Sequence, residues 1–306
     1  MSGRTLHVGP TEWAGLATLV AVWGSAFALT RIALTTLDPW WLTALRINIG
    51  ALALLALVYW QGQRLPRDPR PWLWFAWLGA IGNVGPFALI AWGQQYVPSS
   101  LAGILMAAVP LVTIVIAHFV LADEPLTRRR AAAFVVGFLG VALLIGPLAL
   151  ASLSLGGLRL LAALAILAAA TGYALNGVTA RLVPRLPGLV LACGVLCVAS
   201  LQSLLLAALL APPPAWPPWQ PALAVLALGL FPTAIGAGIV YPLIGRAGAG
   251  FVALTNYLVP AFSVVLGTWL LDEVLAATDY AGLALILAGV LWSRRGERRE
   301  RAGTRP

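Results

Sequence analysis

Two backbone carbonyls in this 306-residue chain lose their helical partners by sequence alone. Proline has no N–H, so Pro110 cannot donate to the carbonyl of Met106, and Pro260 cannot donate to that of Asn256. Both prolines lie in the middle of long apolar runs. In such a medium an unpaired carbonyl costs several kcal/mol unless it meets polar protein, water or a ligand. The chemistry this permits is recognition of a small solute, with a thioether wall at Met106 and an amide wall at Asn256. A packed kink is the alternative, since proline is common in membrane helices. The pair does not stand alone. Gly103, Met106, Pro110, Thr113 and Ala117 recur 150 residues later as Ala253, Asn256, Pro260, Ser263 and Gly267. The steps of three and four keep each set on one helix face, and the recurrence favours a shared central cavity.

Other side chains extend the candidate site. Arg31 and Arg46 can attract a carboxylate or phosphate on a solute; snorkelling to headgroups, or pairing with Asp38, is the other role open to them. Arg31 lies 18 residues after Trp13, roughly 27 Å along a helix and so close to a membrane surface. Asn83 precedes Pro86, Asn176 shares a face with Gly172 and Thr179, and Tyr241 follows Gly238. Each can orient a polar solute or only bind helices together, a contact worth about 0.6 kcal/mol. Trp23 and Trp92 lie deeper than the tryptophans of the interfacial belts and suit a flat cavity wall. His118 is the one intramembrane group that titrates near neutrality; it can carry a proton or simply meet the interface.

The elements that position these residues follow from composition. The chain is 61% hydrophobic and 9% charged, with a mean hydropathy of +0.93. Ten apolar runs, at 13–37, 40–61, 71–94, 99–121, 131–148, 158–180, 188–210, 222–245, 249–271 and 279–293, approach the length that spans a bilayer. Lipid offers the backbone no partner, so the spans are read as helices. The first run is read as retained rather than cleaved as a leader, because its loss would break the helix count.

All 19 basic residues are arginine. With a cytoplasmic N-terminus, 16 of them fall in alternate loops and the tails on that side, and Arg31, Arg46 and Arg159 fall towards the other. That split follows the positive-inside rule and puts both termini in the cytoplasm. It also removes nucleic acid as the reason for the net charge of +9. The tail from Arg294 reads as an anchor at anionic lipid.

Residues 1–150 and 151–293 each hold five spans, and 294–306 form the basic tail. An odd count per half inserts the second repeat upside down. Leu121-Ala122-Asp123-Glu124 with Gly140 returns as Leu270-Leu271-Asp272-Glu273 with Gly289, the glycine 16 residues after the glutamate each time. Together with Trp23-Gly24-Ser25-Ala26-Phe27, Leu45-Arg46, Val109-Pro110 and Val259-Pro260, this order resembles the drug/metabolite transporter superfamily. Within it, the chain resembles the ten-helix exporters with paired EamA domains. Arg31 departs from the pattern, since many members have lysine there. The resemblance implies an all-α integral membrane fold of ten helices in two inverted repeats. It also implies inside termini in an inner membrane, and efflux of metabolites or amino acids by alternating access.

No carboxylate lies inside a span, although proton-driven exporters of cationic drugs generally need one. Multidrug efflux is therefore the weaker alternative, and neutral, zwitterionic or anionic solutes are preferred. Two histidines and two cysteines give no catalytic cluster and no metal-ligand set, so neither an enzyme nor a cofactor is expected; a scaffold without transport is the remaining alternative. Cys193 and Cys197, one turn apart, read as packing. Gly137 and Gly140, with Gly282 and Gly289, allow close helix approach at the outside of the bundle or against a second copy, which leaves a homodimer open. The expected partners are a small-molecule substrate and the lipid bilayer.

Overall fold

The computed structural model describes residues 9–121, 127–155, 157–183, 186–247 and 249–303, and among these the chain is helix joined by short turns with no strand. Ten helices run in order. They are α1 (Pro10–Ala33), α2 (Pro39–Trp60), α3 (Arg70–Gly93), α4 (Ser99–Val120), α5 (Arg128–Leu155), α6 (Leu158–Leu182), α7 (Gly188–Leu210), α8 (219–247), α9 (249–270) and α10 (Ala277–Gly303). Their order follows the ten apolar runs, and eight keep those bounds within four residues. Helix α5 runs on to Leu155, and α10 to Gly303, ten residues into the stretch read as a basic tail. Local chemistry sets several starts. Pro10 opens α1, where Glu12 accepts the Gly9 N–H at 2.9 Å. Pro39 opens α2, and the Asp38 side chain caps it by accepting the Trp40 N–H at 2.8 Å. Asp38 thus serves the backbone, and the pairing with Arg31 or Arg46 considered as an alternative is not made among the described residues.

Packing follows a two-fold pattern. Helix α1 lies against α8 and α9, and α6 lies against α3 and α4; α2 packs on α7 and α8, and α7 packs on α2 and α3. Exchanging every helix for the one five places away turns the first member of each pair into the second. Three contacts map onto themselves: α2 with α7, α4 with α9, and α5 with α10. The fold is all-α and membrane-spanning, with two inverted five-helix repeats.

The α5–α10 contact is built on the glycines. A Cβ at Gly140 would sit 2.7 Å from the Gly282 carbonyl, and one at Gly289 would sit 2.6 Å from that of Ala133. These ridges therefore close on each other within one chain. The largest apolar cluster surrounds α4, where Leu101, Ile104, Leu105 and Leu111 meet Ile166 of α6, Val264 of α9 and Ile286 of α10.

Helices α4 and α9 are both interrupted, but not at matching residues. In α4 the pieces are Ser99–Met106 and Val109–Val120. The Ala107 and Ala108 N–H groups turn back three residues, to Ile104 and Leu105, directly before Pro110. In α9 the pieces are Ala249–Val252 and Thr255–Leu270, so Pro260 lies inside continuous helix. A side chain takes part at the α9 turn. The Thr255 hydroxyl donates to the Val252 carbonyl at 2.8 Å and steadies a turn at Ala253 and Leu254. The matching residue of α4 is Leu105, which has no hydroxyl to do this.

Candidate functional site

Two further breaks carry the polar groups of the interior. Helix α3 passes through a π-helical segment, Ala80–Val84, just before Pro86, and α8 passes through a longer one, Gly229–Ile235, around Pro232. In each the closing N–H reaches back five residues, from Gly85 to Ala80 and from Gly236 to Phe231. Such bulges displace backbone carbonyls from their regular partners, and side chains take over.

At the α8 break the replacement is extensive. Pro232 leaves the Leu228 carbonyl without its usual donor, and the Thr233 hydroxyl supplies one at 2.8 Å. The Trp23 indole donates to the Pro232 carbonyl at 3.1 Å. It comes so close that a Cβ at Gly236 would stand 2.6 Å from the indole nitrogen. Trp23 is thus a hydrogen-bonding clamp on α8 as well as an aromatic surface.

Arg46 joins this break from α2. It lies seven residues past Pro39, about 10 Å along the helix from that end. Its Nε donates to the Thr233 hydroxyl at 3.2 Å, and its guanidinium lies 3.7 Å from the centroid of the Phe87 ring on α3. A cation over a phenyl face gains roughly 2 kcal/mol when desolvated. Tyr173 of α6 completes the group. Its ring meets Phe87 edge to face at 6.4 Å, and it is the electrostatic neighbour of Arg46. Among the described residues no carboxylate faces Arg46. The guanidinium is enclosed by protein, and the residue as a whole is half-buried. Four helices, α2, α3, α6 and α8, converge on it.

The remaining candidates divide. Asn83 donates to the Leu78 carbonyl at 3.4 Å across the α3 break, and Asn176 presses on Gly82 in the same segment. Met106 and Asn256 are half-buried beside the α4 and α9 turns, and Met106 packs on the apolar cluster of α4. Pro110 is half-buried and Pro260 buried. Trp92 packs on the same cluster, with its ring 5.3 Å from Tyr96. His118 is exposed at the far end of α4 beside Phe119. The side chain of Tyr241 lies outside the described residues, as do Asp123 and Glu124. The structure therefore brings Trp23 and Arg46 together at one break, and Asn83 and Asn176 at the other. Phe87, Tyr173 and Thr233 were missed by sequence reasoning. Only Thr233, directly after Pro232, carried a signal.

Among the described residues a hollow opens at each end of the bundle, and neither of these is lined by Met106 or Asn256. One, of about 620 Å³, lies on the face that holds the termini between Arg70, Leu73, Trp74, Trp77 and Thr179. The other, of about 600 Å³, lies on the opposite face between Arg31, Thr35, Gln95, Tyr96, Arg159 and Glu273. Arg31 reaches the Gln94 carbonyl there at 2.5 Å. Glu273, from the α9–α10 turn, caps α4 across the two repeats: it accepts the Ser99 N–H at 2.7 Å, the Ser100 N–H at 2.9 Å and the Ser100 hydroxyl at 2.5 Å. Burial acts to raise the Glu273 carboxyl, but these bonds outweigh it and hold the group below its ordinary value of 4.5.

Fold and interior together define a class, the multi-pass membrane transporters of two inverted helical repeats. Residues 12–146 and 160–295 each match the EamA-like transporter family, and the chain belongs to that family. A probable terminal-alkyne amino-acid exporter of Streptantibioticus cattleyicolor is 29% identical over 300 residues, 96% of this chain and 98% of that protein. The inner membrane transporter YedA of Escherichia coli K12 is 26% identical over 89% of this chain and 87% of its own length. A solved crystal structure, 24% identical, shares the fold with a TM-score of 0.66 over 95% of this chain and 99% of that one.

Proposed function

We propose that this protein is an alternating-access carrier that exports a small solute bearing a carboxylate, an amino acid being the favoured class. One observation carries the reading: Arg46 is an enclosed cation with no carboxylate facing it among the described residues, held over Phe87 and tethered to Thr233. A buried charge is costly unless paired, and the solute carboxylate supplies the pair. The guanidinium fork suits a carboxylate geometrically, with two parallel N–H bonds. Tyr173 and Thr233 offer hydroxyls to the rest of the solute, and Phe87 offers apolar contact.

Movement is assigned to the interrupted helices. The turns at Ala107–Ala108 and Ala253–Leu254, with Met106 and Asn256 beside them, are the points about which the α4–α9 contact tilts. The family and the relative named as an exporter support outward transport. The arginine distribution supports cytoplasmic termini in an inner membrane.

The test is counterflow in liposomes with labelled amino acids. Wild-type protein is expected to exchange at least one of them. Arg46→Gln is expected to lower that exchange about tenfold to a hundredfold in a protein that still folds, with its melting temperature reduced by loss of the Phe87 and Thr233 contacts. Exchange by Arg46→Gln at the wild-type rate would remove the anchor, and absence of exchange for every carboxylate solute would remove the substrate class.

A further inference from the structure

The hollow on the face opposite the termini is a second concentration of positive charge. Arg31 projects from the end of α1 and Arg159 from the start of α6, so the two repeats contribute one cation each to a space of about 600 Å³. That volume lies within the range of small-molecule sites. Thr35, Gln95 and Tyr96 add uncharged polar groups to its wall.

The one acid of the wall offsets only part of that charge, since two arginines stand against a single carboxylate. Glu273 is committed to the α4 N-terminus through the Ser99 and Ser100 N–H groups and the Ser100 hydroxyl. Arg31 donates one Nη1 hydrogen to the Gln94 carbonyl, and a guanidinium has five donors. Among the described residues neither arginine has an acidic partner. Two exposed cations that share one hollow repel each other, and an anion between them reverses the sign of that interaction.

We propose that this hollow binds an oxyanion, a carboxylate or phosphate group, between Arg31 and Arg159, at a site distinct from Arg46. The site takes its walls from α1 and the α3–α4 turn on one side and from α6 and the α9–α10 turn on the other. An occupant therefore bridges the two repeats on this face. The proposal does not depend on Arg46 holding a transported solute. The same chemistry is offered by a free solute and by a lipid headgroup.

The experiment uses the full chain in nanodiscs of zwitterionic lipid and titrates inorganic phosphate, with sodium chloride of equal ionic strength as control. Phosphate is expected to raise the melting temperature of the wild type and of Arg46→Gln beyond the chloride control. Arg31→Gln and Arg159→Gln are each expected to weaken phosphate about tenfold, and the double variant to abolish the shift. A second arm adds phosphatidylglycerol. Stabilisation by that lipid, lost in the double variant and opposed by phosphate, supports the site with a headgroup as its occupant. Equal responses of wild type and double variant to both phosphate and phosphatidylglycerol overturn the proposal. Should the double variant fail to fold, Arg159→Gln alone decides, because Arg159 makes no hydrogen bond within the described fold.

Discussion

Helices α3 and α8 hold matching places in the two repeats and are broken by the same backbone device, yet their surroundings differ in charge. Around the Ala80–Val84 segment itself the contacts are neutral, and Arg46 meets α3 past it, over Phe87. Gly172 of α6 meets the Ile81 carbonyl, Asn176 presses on Gly82, and Asn83 reaches Leu78 at a long 3.4 Å. Around the α8 segment the bonds are shorter and a cation is attached, with Thr233 on Leu228, Trp23 on Pro232 and Arg46 on Thr233. The repeated architecture supplies a place where carbonyls leave their ladder. Divergent side chains then decide what that place can recognise. A single cation on one side of a pseudo-two-fold bundle suits a solute with one carboxylate at one end.

Removing the charge tests this contrast most severely. Arg46→Gln deletes a charge-assisted contact to a carboxylate, about 1.5–3 kcal/mol, so counterflow at low solute concentration is expected to fall about tenfold to a hundredfold. Arg46→Lys keeps a cation but loses the planar fork and its stacking on Phe87, and is expected to fall between the two. Equal flux in all three proteins would mean that the charged break and the neutral one are alike in function.

Part of this was legible in the residues and part was not. Ten spans, two repeats and breaks near Pro86, Pro110 and Pro232 follow from hydropathy and from the missing proline N–H. The location of the α9 break does not: the Thr255 hydroxyl bonds the Val252 carbonyl there, but Thr113 and Thr268 make the same kind of bond inside unbroken helix. Arg46 was ambiguous for a different reason. An arginine near a helix end can turn outward to headgroups or inward, and only Phe87 and Thr233, 41 and 187 residues away in the chain, decide that it turns inward. The Glu273 cap joins residues 173 and 174 apart, and no local spacing announces such a contact.

Thr233→Val sharpens the comparison by making the α8 break as weakly bonded as that of α3. The shape is kept, but the Leu228 carbonyl loses its donor and Arg46 its tether. A loss of about 1 kcal/mol in unfolding free energy is expected, with a several-fold drop in flux. Unfolding followed by circular dichroism in mixed micelles measures the first, and counterflow the second. A stable Thr233→Val protein with full flux would show that Phe87 alone orients the guanidinium.

Glu273 separates the two ends of the bundle from its middle. Because its carboxyl is depressed in the fold, its contribution to stability is complete above the ordinary value of 4.5 and is lost as pH falls through the lower folded value. The wild-type melting temperature is therefore expected to fall on acidification below about pH 4.5, and Glu273→Gln to show a shallower fall. Parallel curves for the two proteins would mean that the α4 cap does not couple the repeats. The effect is modest, since the carboxylate is only half-buried.

The smallest effect is expected at the neutral break. Asn176 is held by contact with Gly82, and its side chain makes no hydrogen bond among the described residues. Asn176→Ala is expected to cost about 0.6 kcal/mol, the average for a polar contact between membrane helices, and to leave flux within about twofold of wild type. The measurement is informative because Asn176 occupies the place in α6 that Ala28 occupies in α1, so alanine restores the symmetry of the repeats. If flux collapses with stability unchanged, the amide contacts the solute, and recognition is divided between both breaks rather than concentrated at Arg46.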